Sequence, residues 1–210
     1  MIFVDPMPRE KWLEWRKQGI GSSDAAAIMG ASPWESAFEL WARRTGRLAP
    51  REQTYPMRRG LRLEPEARRE YEKRTGIRMP RQLGIHKTHS WLRGSFDGFN
   101  RDECRALEIK CPGIDDHTKA CEGIIPAYYT WQCVHLMLVA ELPEIVTDYF
   151  SYYPGSEKHS GSSALITVER DRKLEAQYFE EASRFWRCVE KDTPPNGNVI
   201  RMPVARGVFR

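Results

Sequence analysis

Apolar positions along the chain recur at helical spacing in some stretches and alternate in others, and the switches between the two mark out the elements. Residues 9–17 read as a first helix with Trp12, Leu13 and Trp15 available for packing. It stops at Gly19-Ile20-Gly21, where glycine permits a tight turn. Ser22-Ser23-Asp24 can cap a short alanine-rich helix through Ile28 and Met29. Ser32-Pro33-Trp34-Glu35 has the spacing of a capping box and predicts a helix carrying Phe38, Leu40 and Trp41 that ends at Thr45-Gly46. A polar linker over residues 47–55 leads to a longer helix, expected over 57–75. There Leu61, Glu64, Ala67, Arg68 and Tyr71 recur at three- and four-residue spacing, which places Glu64 close to the buried stripe.

After Gly76 the pattern changes to strands, over residues 77–86, 91–99 and 104–111. Residues 112–126 are rich in Pro, Gly and Asp and read as a loop with one short helix. Residues 127–140 form an aromatic and apolar helix, hydrophobic nearly all round and therefore expected to be buried. Strands are expected over 144–153 and 163–168, then an amphipathic helix over 171–189 with Leu174, Tyr178, Ala182, Phe185, Trp186 and Val189 on its stripe. This order predicts an α/β fold of the mixed α+β kind: a mixed central sheet flanked by helices on both faces.

Candidate chemistry concentrates in Gly94-Ser95-Phe96-Asp97-Gly98 and Leu107-Glu108-Ile109-Lys110, joined across a turn at Asn100-Arg101-Asp102-Glu103. Read as antiparallel neighbours with a side-chain period of two, they put Ser95 and Asp97 on one face and Glu108 and Lys110 on one face. Leu107 and Ile109 point the other way, into a core. Two carboxylates and an ammonium then converge, an arrangement that a divalent metal relieves and that leaves a lysine beside the metal. Glu64 is a candidate third acidic ligand, its plainer role being a salt bridge. The plain reading of the hairpin is a polar strand end at Asp97 and a charge pair between Glu108 and Lys110.

Composition adds a few boundaries. A chain of 210 residues suits one domain, 1–210, with residues 1–56 an N-terminal helical part packed on the core and 195–210 a C-terminal tail. Its formal net charge of +4 fits a nucleic-acid partner without establishing one, and arginines cluster at Arg58, Arg59 and Arg62 and again at Arg201, Arg206 and Arg210. Five cysteines, none in a CxxC pair, argue against a zinc knuckle, a disulfide scaffold or an iron–sulfur cluster. The five histidines show no ligand spacing; His135 is expected to pack in the core, with Trp41, Trp131 and Trp186. His86 and His89 frame a turn before the strand that carries Asp97, either near a nucleic-acid partner or simply solvated. The N-terminus lacks the apolar run of a secretory signal, and the apolar stretch 134–140 is too short to cross a bilayer, so a soluble, cytoplasmic protein with no membrane partner is expected.

Several motifs occur in one order: Trp15-Arg16, Gly19-Ile20-Gly21-Ser22-Ser23-Asp24, Ser32-Pro33-Trp34, Gly60-x-x-x-Glu64, the Ser95–Asp97 run, Leu107-Glu108-Ile109-Lys110-Cys111-Pro112 and Tyr129-x-x-Gln132. Over residues 12–140 the chain thereby resembles the phage-type alkaline exonucleases. These are YqaJ-like viral recombinases related to the exonuclease of bacteriophage lambda, within the PD-(D/E)xK nucleases. The resemblance implies a restriction-endonuclease-like core and metal-dependent degradation of one DNA strand from its 5′ end. It implies that Asp97, Glu108, the Ile109 carbonyl and Glu64 hold Mg²⁺, with Mn²⁺ as an alternative and two ions per site. Lys110 would orient or deprotonate the attacking water. Arg16, Ser23, Ser95 and Gln132, with Tyr129 beside them, would take the terminal 5′-phosphate of double-stranded DNA; the choice of Ser23 over Ser22 comes from the family alone. Phe96 stands where many members of the class carry proline.

The same resemblance implies a homotrimer, 3′ overhangs passed to a single-strand-annealing protein, and a phage or prophage origin in a bacterial host. Two rival readings fit the residues: a structure-selective endonuclease of the same chemistry, and a catalytically silent DNA-binding or recombination-assembly protein.

Overall fold

A computed structural model describes residues 1–196. Strands β1 (Ile2–Val4), β2 (Gln82–Ile85) and β3 (Arg93–Phe96) form an antiparallel sheet in that order. Strands β4 (Gly98–Asn100), β5 (Arg105–Lys110), β6 (Val146–Tyr153) and β7 (Ser162–Val168) form a second, mixed sheet in which β5 and β6 run parallel. The strand expected over 91–99 is therefore divided, and Asp97 is the residue between its two halves. Strand β1, too short to declare itself by periodicity, pairs with β2.

Helices cover both faces of this arrangement, as the order of elements predicts. Helix α1 (Arg9–Lys17) lies at the surface, with Leu13 exposed. Helices α2 (Ser22–Ile28), α3 (Ala37–Arg44), α6 (Ala127–Ala140) and α7 (Arg172–Glu190) pack with β3 around Ile20, Met29, Trp41, Phe96, Trp131 and Tyr178. His135 is buried within α6, bonded to Tyr178 Oη at 2.6 Å and to the Arg93 carbonyl at 2.9 Å. On one face of the mixed sheet, α4 (Tyr55–Thr75) packs Ala67 and Tyr71 against Leu107, Ile109 and Phe150. On the other, Ala120 of α5 (Ile114–Cys121) and Cys133 of α6 pack against Tyr149, Ala164 and Ile166. Leu107 and Ile109 thus point away from the side that Glu108 shares with Tyr149, as alternation requires.

Local signals needed correction in three places. Gly21, not a serine, caps α2; the Asp24 carboxylate takes the Gly21 amide at 2.9 Å, so Ser22 and Ser23 lie in the first turn. The capping box of α3 is Ser36 with Glu39. Ser32 receives the Trp34 and Glu35 amides in a turn, while Glu35 is held by Arg43 at 2.5 Å and cannot reciprocate. In α4 the buried stripe is Leu63, Ala67 and Tyr71, and Leu61 is exposed. The tail lies, from residue 197 onward, outside the described residues.

Candidate active site

Asp97 owes its position to its neighbours. Phe96 is buried in the core on one side, and Gly98 on the other allows close approach: a Cβ there would lie 2.6 Å from Met79 Cβ and 3.1 Å from Leu107 Cβ. With β4 pressed against β5, the Ile109 amide donates to Asp97 Oδ2 at 2.8 Å. Glu108, next along β5, is buried, and Lys110 donates its ammonium to the Glu108 carboxylate. The Lys110 ammonium also lies 5.2 Å from the centroid of the Tyr129 ring on α6.

Burial and the Glu108 and Glu64 carboxylates push the Asp97 carboxyl up to about 8, against the pull of Lys110 and the Ile109 amide. Burial alone would lower Lys110, but the Glu108 and Asp97 carboxylates outweigh it and hold the group above the ordinary lysine value. Lys110 is therefore an ammonium at neutral pH. Asp97 and its neighbour Glu108 present hard carboxyl oxygen donors suited to a divalent cation such as Mg²⁺.

Glu64 approaches from α4, near enough for its charge to reach Asp97. Its Oε1, however, accepts from Arg68 Nη2 at 2.6 Å and from Arg81 Nε at 3.0 Å. Among the described residues, no group of three or more His, Cys, Asp or Glu side chains is gathered closely enough to hold a metal ion. The acidic cluster is thus a pair, Asp97 and Glu108, with Glu64 turned aside. Two guanidiniums, of Arg68 and Arg81, hold its carboxylate.

Of the expected phosphate-site residues, Arg16 and Ser23 meet directly: Arg16 Nη2 donates to Ser23 Oγ at 2.6 Å, and the guanidinium lies over the Trp12 ring. Gln132 is buried on α6, one turn after Tyr129 and on the same side of the helix. Ser95 is half-buried on β3, opposite Leu83. Helix α6 packs on both α2 and β3, but among the described residues no hydrogen bond joins Ser95 or Gln132 to the Arg16–Ser23 pair.

Two features escaped sequence reasoning. Asp24 is buried and paired with Arg44 of α3, a partner 20 residues away that no local spacing signals. Tyr149 is wholly buried beside Tyr129, and its hydroxyl has no hydrogen-bond partner among the described residues.

Comparison with known proteins shows the family and the fold. The model of the YqaJ-like viral recombinase domain matches residues 11–143. The protein YqaJ of Bacillus subtilis (strain 168) is 31% identical over 183 residues, 86% of this chain; the chain spans 56% of that relative's length. The crystal structure of an alkaline exonuclease from Laribacter hongkongensis is 26% identical, with a TM-score of 0.70, covering 87% of this chain and 93% of that one. The same exonuclease in complex with dAMP superposes equally well, at 25% identity. A phage-related exonuclease from Haemophilus somnus 129PT shares the fold, at 15% identity and a TM-score of 0.58, over 82% of this chain and 94% of its own. With the family's model matched over well over half of its length, the chain belongs to the YqaJ-like viral recombinase family.

Proposed function

We propose that this protein is a Mg²⁺-dependent exodeoxyribonuclease that degrades one strand of linear duplex DNA in the 5′ to 3′ direction. The observation that carries the reading is the meeting of Asp97, Glu108 and Lys110 at the junction of the two sheets. Likeness to an alkaline exonuclease, itself described in complex with dAMP, supports it.

A phosphodiester is anionic and resists attack by water. A divalent ion, when bound, would neutralise a non-bridging oxygen and lower the pKa of a water molecule. Asp97 and Glu108 would hold it, with the Ile109 carbonyl and Glu64 completing its coordination; Glu64 would first leave Arg68 and Arg81. Lys110 then orients the attacking water and offsets developing negative charge. A general-base role is disfavoured because the two carboxylates keep it protonated. Tyr129 walls the same space. Arg16 and Ser23, joined by Ser95 and Gln132, would grip the terminal 5′-phosphate by charge-assisted hydrogen bonds.

The product, a 3′ overhang, would pass to a single-strand-annealing protein in phage or prophage recombination inside a bacterial host. A homotrimer around the duplex is the assembly that fits this role. No helix among the described residues is long and apolar enough to cross a membrane.

The test is strand-resolved digestion with Mg²⁺ of linear duplexes bearing 5′-phosphate or 5′-hydroxyl, beside closed circles, an EDTA control and Asp97→Ala. Stepwise loss of the 5′-phosphorylated strand, absent from both controls, is the expected result. Binding without degradation would overturn the enzyme reading. Cleavage of closed circles would convert it to an endonuclease.

A further inference from the structure

One buried ion cluster has no part in that chemistry. Asp24 is 7% exposed, in the first turn of an alanine-rich helix. Arg44 Nη2 donates to Asp24 Oδ2, while Arg44 Nη1 donates to the Arg16 carbonyl at 2.8 Å. The Gly21 amide donates to the same Asp24 oxygen at 2.9 Å. A Cβ added to Gly21 would lie 3.9 Å from both Arg16 Nη2 and Asp24 Oδ2, so Arg16 and Asp24 flank one glycine.

These bonds have a common target. Two of them end on main-chain atoms of residues 16 and 21, the two sides of the turn that separates Arg16 from Ser23. The cluster therefore fixes the backbone between the two side chains that would receive a phosphate. Its charges point the same way: one carboxylate faces two guanidiniums, leaving one positive charge in excess where solvent is scarce. Burial opposes ionisation of Asp24, yet Arg44, Arg16 and the Gly21 amide bring its carboxyl below the usual range, so the carboxylate persists. Stability alone is a poor reason for the arrangement, since a buried ion pair is commonly no better than an apolar contact of the same volume. Preorganising an anion site is a better one, because donors already fixed lose little freedom when the ligand arrives.

We propose that Asp24 and Arg44 are positioning residues for the end of the DNA substrate, holding the turn from Arg16 to Ser23 in the shape that accepts a terminal 5′-phosphate. The proposal rests on the reading of Arg16 and Ser23 as the phosphate site. It predicts that these two residues set the preference for a phosphorylated end without touching the phosphate.

The experiment measures kcat/KM on matched duplexes with 5′-phosphate and 5′-hydroxyl ends, for the wild type, Asp24→Asn and Arg44→Lys. Asp24→Asn keeps an acceptor for the Gly21 amide and removes the charge. Arg44→Lys keeps a charge and removes the fork that spans Asp24 and the Arg16 carbonyl. The ratio of the two rates cancels any difference in the fraction of folded enzyme. The preference for phosphate is expected to fall at least about tenfold in both variants, the scale on which supporting residues act. A ratio unchanged from wild type, even with lower rates on both ends, would overturn the proposal and leave the cluster a structural pair. A wild-type ratio of one would instead remove the phosphate site itself, and the proposal with it.

Discussion

The Ile109 amide donates to the Asp97 carboxylate across the junction of the two sheets, at 2.8 Å. This bond ties the residue at which one sheet ends to the strand that carries Glu108 and Lys110. Replacing Asp97 by Asn keeps an acceptor for the amide but removes the charge. We expect Asp97→Asn to fold like the wild type and to lose metal-dependent strand degradation by at least about a hundredfold, more than a supporting residue costs. Asp97→Ala also strands the amide and should melt earlier than Asp97→Asn, by about 1–3 kcal/mol. Paired digestion assays and thermal melts check both statements. Wild-type rates in Asp97→Asn would remove Asp97 from the chemistry.

The same carboxyl gives a dependence of stability on pH. Its ordinary value is 3.8, and the folded protein raises it to about 8, through burial first and then Glu108 and Glu64. Across that interval the folded state keeps a proton that the unfolded chain releases. The group's contribution to stability is therefore complete below about pH 3.8 and is lost as the pH rises to about 8. In EDTA, the wild type should lose stability relative to Asp97→Asn through this window. With Mg²⁺ the gain in melting temperature should grow over the same window, since the ion competes with the proton. Parallel curves for the two proteins in EDTA would contradict the assignment.

What the sequence made legible follows from the range of each signal. The interval 127–140 was readable as a buried helix because its apolar residues surround it, and α6 spans Ala127–Ala140. The hairpin's faces were readable because alternation is local, and Leu107 and Ile109 do enter the core. The break at Asp97 was not. Nothing nearby distinguishes one long strand from two that change sheets, and the close approach at Gly98 depends on Met79, far along the chain. The cap of α3 was misplaced at Ser32–Glu35 because Ser36–Glu39 repeats the same spacing; Arg43, by taking Glu35, decides between them. The spacing of α4 placed Glu64 close to the buried stripe but could not reveal Arg81, which holds its carboxylate.

His135 makes the protein acid-sensitive by a separate route. Burial lowers its imidazole from the ordinary 6.5 to about 4, and both ring nitrogens are engaged, with Tyr178 and with the Arg93 carbonyl. A depressed value means that the unfolded chain takes up the proton first. Stability from this group is complete above about pH 6.5 and falls away toward pH 4, by roughly 3 kcal/mol in all. His135→Gln should flatten that part of the pH–stability curve and lower stability at neutral pH by about 1–3 kcal/mol, through poorer pairing of Tyr178. Urea denaturation between pH 4 and 7 measures both, and an unchanged slope would show that another group governs the acid limb.

Asp148 fastens α4 to the mixed sheet, and the cost of disturbing it should depend on which partner is removed. It is wholly buried on β6, where it accepts from Tyr71 of α4, from Arg105 Nη1 on both carboxylate oxygens at 2.9 and 3.0 Å, and from Thr167 of β7 at 2.7 Å. Burial and the Asp148 carboxylate hold the Tyr71 phenol above its ordinary value, so this bond survives into alkaline solution. Tyr71→Phe removes one donor of several and should cost about 0.5–1.5 kcal/mol. Asp148→Ala leaves the Arg105 guanidinium without its counter-charge and the Tyr71 hydroxyl without an acceptor, and should cost about 3–5 kcal/mol. Because the two side chains share one bond, the double variant should be less destabilised than the sum of the singles. Strict additivity in urea denaturation would mean that Tyr71 holds α4 through its ring, packed edge-on against Phe150, and not through its hydroxyl.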